Sequence, residues 1–187
     1  GSYTTITDVV YGILNILSAL RVFHDNKILH LDVSPDNLLL LPRSTGQSEQ
    51  CRRVILIDYN STWSLSELIN QNDIYFSIKE NYTAPEVLLH EVKSIGPASD
   101  LFSVCVIFLE MLEGKQEGLR NLSLPERKEN ITKSKLFDEC QATVISKVCA
   151  ILNKGLRQAP GQRYQSIDEL ATDLHEVIHR IEGIGIT

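Results

Sequence analysis

Three polar side chains lie close together in the segment 28–40. His30, Asp32 and Asn37 follow one apolar stretch and precede another, and Pro35 stands between the last two. Asp32 and Asn37 are five residues apart, and the proline stiffens the turn between them. Such a turn can direct a carboxylate and an amide oxygen at one point in a cleft, which is the placement that a general base or a binding site requires.

A further carboxylate follows the apolar run 54–57. Asp58 comes directly after that run, which the sequence predicts to be a short strand. A carboxylate at the carboxyl end of a strand, close to the Asp32 turn, is well placed to hold a cation. The two segments therefore predict one site built from two adjacent connections.

The elements that must position these residues are mostly helical. Four segments are predicted to be helices, three from periodic or amphipathic apolar residues and one because it is apolar on nearly every face. Two short strands, 38–41 and 54–57, are expected to pair as a hairpin with a long polar loop. Ser61 to Asn81 shows no strong period. The fold class is therefore mainly α, with one small β-hairpin carrying the site. The four helical segments are 5–24, 99–114 (apolar on nearly every face, with Ser99 as its cap), 136–156 and 166–181.

Composition limits the possible partners. The chain has 187 residues, 43% of them apolar, and a net charge of −6, so it favours one domain over residues 3–187 and has no basic surface for nucleic acid. No apolar run is expected to reach the ~20 residues of a membrane span. Gly1-Ser2 resembles a tag remnant. Four cysteines without a Cys-x-x-Cys pair indicate reduced thiols and a cytoplasmic location.

The motifs together resemble those of eukaryotic-type protein kinases, specifically their C-terminal lobe. They occur in the order of that family and extend over nearly the whole chain. The residues that carry the resemblance are His30, Asp32 and Asn37, then Asp58-Tyr59-Asn60, Ala84-Pro85-Glu86, Asp100, and Pro160 with Arg163.

The resemblance implies a role for each residue of the site. Asp32, on a catalytic loop over 28–37, would accept or orient the proton of the substrate hydroxyl. Asn37 and Asp58 would bind the Mg²⁺ of Mg-ATP, and Leu39 and Ile57 would lie under the adenine. The activation segment would run from 58 to 86. The partner that this implies is a protein substrate, with Ser or Thr as the default acceptor.

Further residues would be structural. His30 would lie hydrogen-bonded beneath the Asp58 loop, and Tyr59 takes the place of the usual Phe. Asp100 would accept hydrogen bonds from the backbone around His30. Glu86 would form a buried bidentate pair with Arg163.

Three departures from the family pattern affect catalysis and control. Leu31 replaces an arginine that binds a phosphate on the activation segment, so control by that phosphate is not expected. Ser34 replaces a lysine that neutralises the transferring phosphate, and Lys79 stands where a threonine is usual. One hypothesis is that Lys79 reaches back and supplies the missing charge. The alternative is a solvated lysine on the activation segment.

The motifs of the other kinase lobe, a glycine-rich loop and a strand lysine, do not occur in the sequence. The isolated chain is therefore predicted to bind ATP weakly or not at all and to transfer phosphate negligibly, although the intact protein would be a kinase. A pseudokinase or interaction module is the alternative. A third possibility is a C-lobe whose exposed cleft face is covered by a partner or by a second copy in a homodimer.

Overall fold

The computed structural model describes residues 5–41, 53–70, 76, 78–113, 134–137 and 140–183. The helices in these ranges are α1 (Ile6–Asp25), α2 (Leu65–Asn70), α3 (Pro85–Leu88), α4 (Pro97–Glu113), α5 (Ala142–Gly155) and α6 (Ile167–Glu182). The strands are β1 (Ile28–Leu29), β2 (Leu38–Leu40), β3 (Val54–Leu56) and β4 (Trp63–Ser64). Single 3₁₀ turns join several of them. The fold is mainly helical, as predicted.

Helix α1 begins where its sequence predicts. Thr5 is its N-cap, and the Thr5 hydroxyl accepts a hydrogen bond from the amide of Asp8 at 3.1 Å. The helix lies against α4, α6 and β3. Its apolar stripe is buried there, and this burial makes α1 one wall of the core.

The length of α1 corrects the expectation that no apolar run reaches the length of a membrane span. The helix is 20 residues long and apolar enough, by length and composition, to pass as a membrane span. However, 44% of its apolar 18-residue stretch is buried inside the fold. The core helix of a folded domain can have the same length and composition, so α1 gives no clear membrane span.

Helix α4 is the centre of the molecule. It is buried on nearly all faces, as its sequence predicts. It begins at Pro97, so Ser99 lies inside the helix and is not its N-cap as expected. The Ser99 hydroxyl accepts from the amide of Gly96 at 3.2 Å, just before the helix, and donates to a carboxylate oxygen of Glu86 at 2.7 Å. Gly114, its expected end, lies outside the described residues.

The predicted hairpin is present as the antiparallel pair β2–β3, in which Leu39 faces Ile55. Each strand is one residue shorter than expected, and most of the connecting loop lies outside the described residues. A second small sheet was not predicted. It pairs β1 with β4, so that Leu29 faces Trp63, and α2 follows β4 directly. Two-residue strands are too short for a periodic pattern, so their pairing depends on tertiary contacts.

The last third of the chain corrects one prediction and refines another. The single helix expected over 136–156 is a 3₁₀ turn at Lys135–Phe137 and then α5, which starts only at Ala142. Helix α6 starts after Ser166, whose hydroxyl accepts from the amide of Glu169 at 3.2 Å. The Glu169 carboxylate accepts from the amide of Gln165 and not from that of Ser166, so the reciprocal bond of a capping box does not form.

Candidate active site

The loop that carries His30 and Asp32 is hydrogen-bonded to Asp100 on α4. One carboxylate oxygen of Asp100 accepts from the amide of His30 at 2.9 Å, and the other accepts from the amide of Leu31 at 2.7 Å. The first oxygen also bonds the Nε2 of His24 at 2.9 Å. Asp100 is fully buried, and these partners compensate the burial of its carboxylate. The predicted contact between Asp100 and the His30 backbone is therefore confirmed.

His30 lies entirely inside the fold. Its Nδ1 accepts a long hydrogen bond of 3.4 Å from the amide of Asp32, and its ring meets Phe23 edge-on with centroids 5.3 Å apart. Burial lowers the pKa of His30, although the charges of Asp100 and Asp32 oppose the shift. The buried, neutral ring of His30 therefore supports the loop from inside the fold and cannot contact a substrate.

Asp32, Asn37 and Asp58 lie on two segments that are joined by hydrogen bonds. The side-chain amide of Asn37 donates to the carbonyl of Asp32 at 2.8 Å, which fixes the turn between them. The amide of Ile57 donates to the carbonyl of Asn37 at 2.9 Å. Asp58 is the next residue after that link. The geometry therefore joins the three polar residues that the sequence selected.

Two residues of the site have left-handed backbone. Leu31 has φ 59° and Asp58 has φ 65°. For residues with a Cβ this region is uncommon and carries strain. Leu31 is held there by the Asp100 bond, and the side chain of Asp58 accepts from the amide of Asn60 at 3.3 Å. Leu31 directly precedes Asp32, and Asp58 is itself one of the polar residues of the site. Backbone strain is commonly found at such positions.

Tyr59 is placed against the helix that precedes the catalytic loop. Its ring lies 5.7 Å from that of Phe23, and its hydroxyl donates to the carbonyl of Leu56 at 2.9 Å. Tyr59 is nevertheless 57% exposed. The row of contacting rings of His30, Phe23 and Tyr59 therefore starts in the core and ends at the surface beside Asp58.

An apolar surface lies next to these polar groups. Leu39 and Ile55 are cross-strand partners, and Ile57 follows on the same face of the hairpin. They are 48%, 39% and 38% exposed, whereas Leu56 on the opposite face is buried. Leu39 and Ile57, selected from the sequence as the floor of a nucleotide site, thus share one exposed apolar face.

Lys79 points back to the catalytic loop. Its Nζ donates to the hydroxyl of Ser34 at 2.9 Å, lies 3.6 Å from a carboxylate oxygen of Asp36, and lies 3.8 Å from one of Asp32. Ser34 is fully buried, whereas the side chain of Lys79 is 29% exposed. The structure therefore places an ammonium group beside the carboxylate of Asp32, as the Lys79 hypothesis requires.

Glu86 and Arg163 form the predicted pair. Two guanidinium nitrogens of Arg163 each donate to a different oxygen of Glu86, both at 2.8 Å. Arg163 also donates to the carbonyls of Arg157 and Gln158, and its guanidinium lies 4.7 Å from the ring centroid of Phe102. This pair ties α3 to the turn before α6.

One contact of the site was missed by sequence reasoning. The hydroxyl of Tyr82 donates to a carboxylate oxygen of Glu110 at 2.8 Å, and the hydroxyl of Ser103 donates to the carbonyl of Tyr82 at 2.8 Å. Burial raises the pKa of Glu110. Glu110 itself was the available signal, because a carboxylate on the mostly buried helix α4 needs a partner.

The oxygen donors of the site suit Mg²⁺. The Nδ2 of Asn37 is used by the carbonyl of Asp32, so its Oδ1 is the atom left to act as a ligand. Asp58 adds a carboxylate. Within the described part of the chain, no three His, Cys, Asp or Glu side chains are grouped to hold a metal by themselves. Mg²⁺ commonly takes only one or two protein carboxylates and completes its shell with phosphates and water.

A comparison with protein families agrees with this geometry. The family model described as "Protein kinase domain" matches residues 3–175. The chain belongs to the protein kinase family. Its mainly helical fold with two small sheets is that expected of the kinase C-lobe.

Curated kinases show what this kinase chain is similar to. It is 32% identical over 140 residues to cyclin-dependent kinase C-1 of Oryza sativa subsp. japonica, covering 75% of this chain and 24% of that protein. It is 30% identical over 126 residues to a calcium/calmodulin-dependent protein kinase of Metarhizium anisopliae, covering 65% of this chain and 31% of that protein. The kinase chain thus spans about a quarter to a third of these relatives' lengths.

Proposed function

We propose that the protein transfers the γ-phosphate of Mg-ATP to a serine or threonine hydroxyl of a protein substrate. The observation that carries the proposal is the convergence of Asp32, Asn37 and Asp58, joined by the Asn37 hydrogen bonds and held on α4 by Asp100. The relatives support it, since they are kinases by name.

Asp32 acts on the acceptor hydroxyl. Its carboxylate orients the hydroxyl and takes its proton as the oxygen–phosphorus bond forms and the bond to the leaving ADP oxygen breaks. Asn37 and Asp58 hold Mg²⁺, which neutralises phosphate charge when bound. Leu39 and Ile57 offer the exposed apolar face on which an adenine ring would lie.

A second candidate function is a kinase fold used as a docking module without catalysis. The observations that favour it are the buried Leu31 and Ser34, which stand at positions where the family carries an arginine and a lysine. The intact set of Asp32, Asn37 and Asp58 favours catalysis, because a site released from selection for chemistry commonly loses one of its polar residues.

The deciding experiment is an ATP-dependent phosphorylation assay that compares the parent protein with its Asp32→Asn variant. The longest natural protein that contains residues 3–187 is incubated with radiolabelled ATP, Mg²⁺ and a mixture of Ser- and Thr-containing peptides, beside its Asp32→Asn variant. We expect transfer that D32N lowers by about 10²-fold or more. Transfer at background, or equal in both proteins, would favour the docking module.

The isolated chain has a separate expected behaviour. We propose that it binds Mg-ATP weakly and transfers phosphate negligibly, because the exposed face of Leu39 and Ile57 supplies only one side of a nucleotide site. Isothermal titration of this chain with Mg-ATP tests the point. Micromolar affinity with measurable turnover would show that one lobe suffices.

A further inference from the structure

We infer that Lys79 supplies the cation that stabilises the transferring phosphoryl group, so that positions 34 and 79 have exchanged the lysine and the hydroxyl residue. The inference rests on the proposed function and assigns a catalytic group to it. It starts from the Nζ of Lys79, which donates to the Ser34 hydroxyl at 2.9 Å and lies 3.8 Å from Asp32.

The position of Lys79 is determined by a tight turn. The carbonyl of Lys79 accepts from the amides of Tyr82 and Thr83 at 2.8 and 3.0 Å, and the amide of Lys79 donates to the Thr83 hydroxyl at 3.1 Å. Ser103 on α4 bonds the carbonyl of Tyr82. The ammonium group therefore extends from a turn that is fastened to the most buried helix of the fold.

A purely structural role explains the arrangement less well. The ion pair with Asp36 contributes little, because the Asp36 side chain is 82% exposed and surface pairs are worth about 0–1 kcal/mol. The contacts with the buried Ser34 and Asp32 bring the ammonium over the catalytic carboxylate. A cation held there in advance costs no reorganisation when negative charge develops during transfer.

Asp32 and Lys79 then supply the carboxylate and the ammonium group that the transfer uses. Asp32 takes the proton of the acceptor hydroxyl as its oxygen bonds to the γ-phosphorus of ATP, and the bond from that phosphorus to the oxygen bridging to ADP breaks. Lys79 keeps its protons and donates hydrogen bonds to the oxygens of the group in transfer. Ser34, which bonds the Nζ, holds the lysine in place.

If Ser34 and Lys79 have exchanged residue types, substituting both of them together should restore function. Lys79→Thr removes the cation. Ser34→Lys adds a second ammonium next to the first, which is repulsive. The double variant S34K/K79T places one lysine on the catalytic loop and one hydroxyl on the activation segment, and the space vacated by Lys79 receives the new side chain.

The test measures kcat and KM for ATP in the longest natural protein that contains these residues. We expect K79T to lower kcat by about 10²-fold or more while KM for ATP changes little. S34K/K79T should recover at least about 10-fold of that loss, as expected of a restored cation. Lys93→Thr, the same change at an exposed lysine of the turn after α3, is the control and should leave kcat unchanged.

The outcomes separate the two proposals. An active parent protein whose rate is unaffected by K79T overturns the assignment of Lys79 and leaves the kinase function standing. A K79T defect that S34K fails to relieve, with thermal unfolding temperatures equal among the variants, overturns the exchange. A parent protein without any transfer overturns the proposed function itself.

Discussion

Arg163 and Glu86 lie 77 residues apart in the chain and meet in two hydrogen bonds of 2.8 Å, with side-chain exposures of 0% and 1%. Each nitrogen of the Arg163 guanidinium donates to an acceptor, and the Glu86 carboxylate also accepts a hydrogen bond from the Ser99 hydroxyl. A buried pair of this kind is compensated only while both partners remain, because either charge alone would be left inside the fold.

Removing one partner of this pair should therefore destabilise the chain strongly. We expect Arg163→Met to lower the free energy of unfolding by about 3–5 kcal/mol. Urea denaturation of the chain measures the loss. Arg21→Met, which breaks the exposed pair with Asp168, is the control and should cost less than about 1 kcal/mol. Equal losses in the two variants would contradict the argument from burial.

The buried His30 should make stability depend on pH. Its pKa is lowered from 6.5 by burial, so the unfolded chain takes up a proton below that pH before the folded chain does. Stability is therefore full above pH 6.5 and falls as the pH decreases toward the folded pKa, at most about 1.4 kcal/mol per pH unit for this group.

His30→Phe tests this dependence. The slope of unfolding free energy against pH between 7 and 5.5 should become shallower in H30F, because one proton uptake is removed. His175→Phe, at an exposed position of α6, is the matched control. An equal change of slope in both variants would show that the dependence does not come from His30.

Cys105 and Gly155 form a tight contact between α4 and α5. A Cβ added at Gly155 would lie 2.2 Å from the Sγ of Cys105, far inside van der Waals contact. Gly155→Ala should therefore destabilise the chain by about 1–3 kcal/mol through overpacking. The double variant C105A/G155A removes the thiol and should be more stable than G155A. Urea denaturation of both single variants and the double variant gives the coupling, which should be at least about 1 kcal/mol.

The thiol of Cys105 should also be chemically inert. Burial raises its pKa to about 12, and only the thiolate reacts readily. In the G155A experiment the thiol can therefore be treated as a packing group. Labelling of Cys105 by iodoacetamide in the folded chain, at the rate seen in urea, would contradict this.

Tyr82 should act as a positioning residue for Lys79. Tyr82→Phe removes the hydrogen bond to Glu110 and leaves a carboxylate without that donor. In the active protein we expect kcat to fall by about 3–10-fold, in line with the loss of roughly 1 kcal/mol of one hydrogen bond, with KM for ATP unchanged. In the K79T background the same change should have no further effect on kcat. An equal effect in both backgrounds would make Tyr82 independent of Lys79.

The local parts of the molecule could be predicted from the amino-acid sequence. Periodic apolar residues predicted α1 and α6, a run that is apolar on nearly every face predicted α4, and the hydroxyls of Thr5 and Ser166 marked two helix starts, because such signals act within one or two turns of chain. The order of the motifs also pointed to the family, and with it to the Asp100 and Arg163 contacts.

Features that depend on contacts between distant segments could not be predicted in this way. The β1–β4 sheet and the Tyr82–Glu110 bond have no local signal, since their partners meet only after the helices pack. The left-handed backbone at Leu31 and Asp58 is imposed by surrounding contacts. Lys79 is the clearest case. Its residue type permitted either a solvated side chain or a catalytic one, and the turn fastened to α4 places its ammonium beside Asp32.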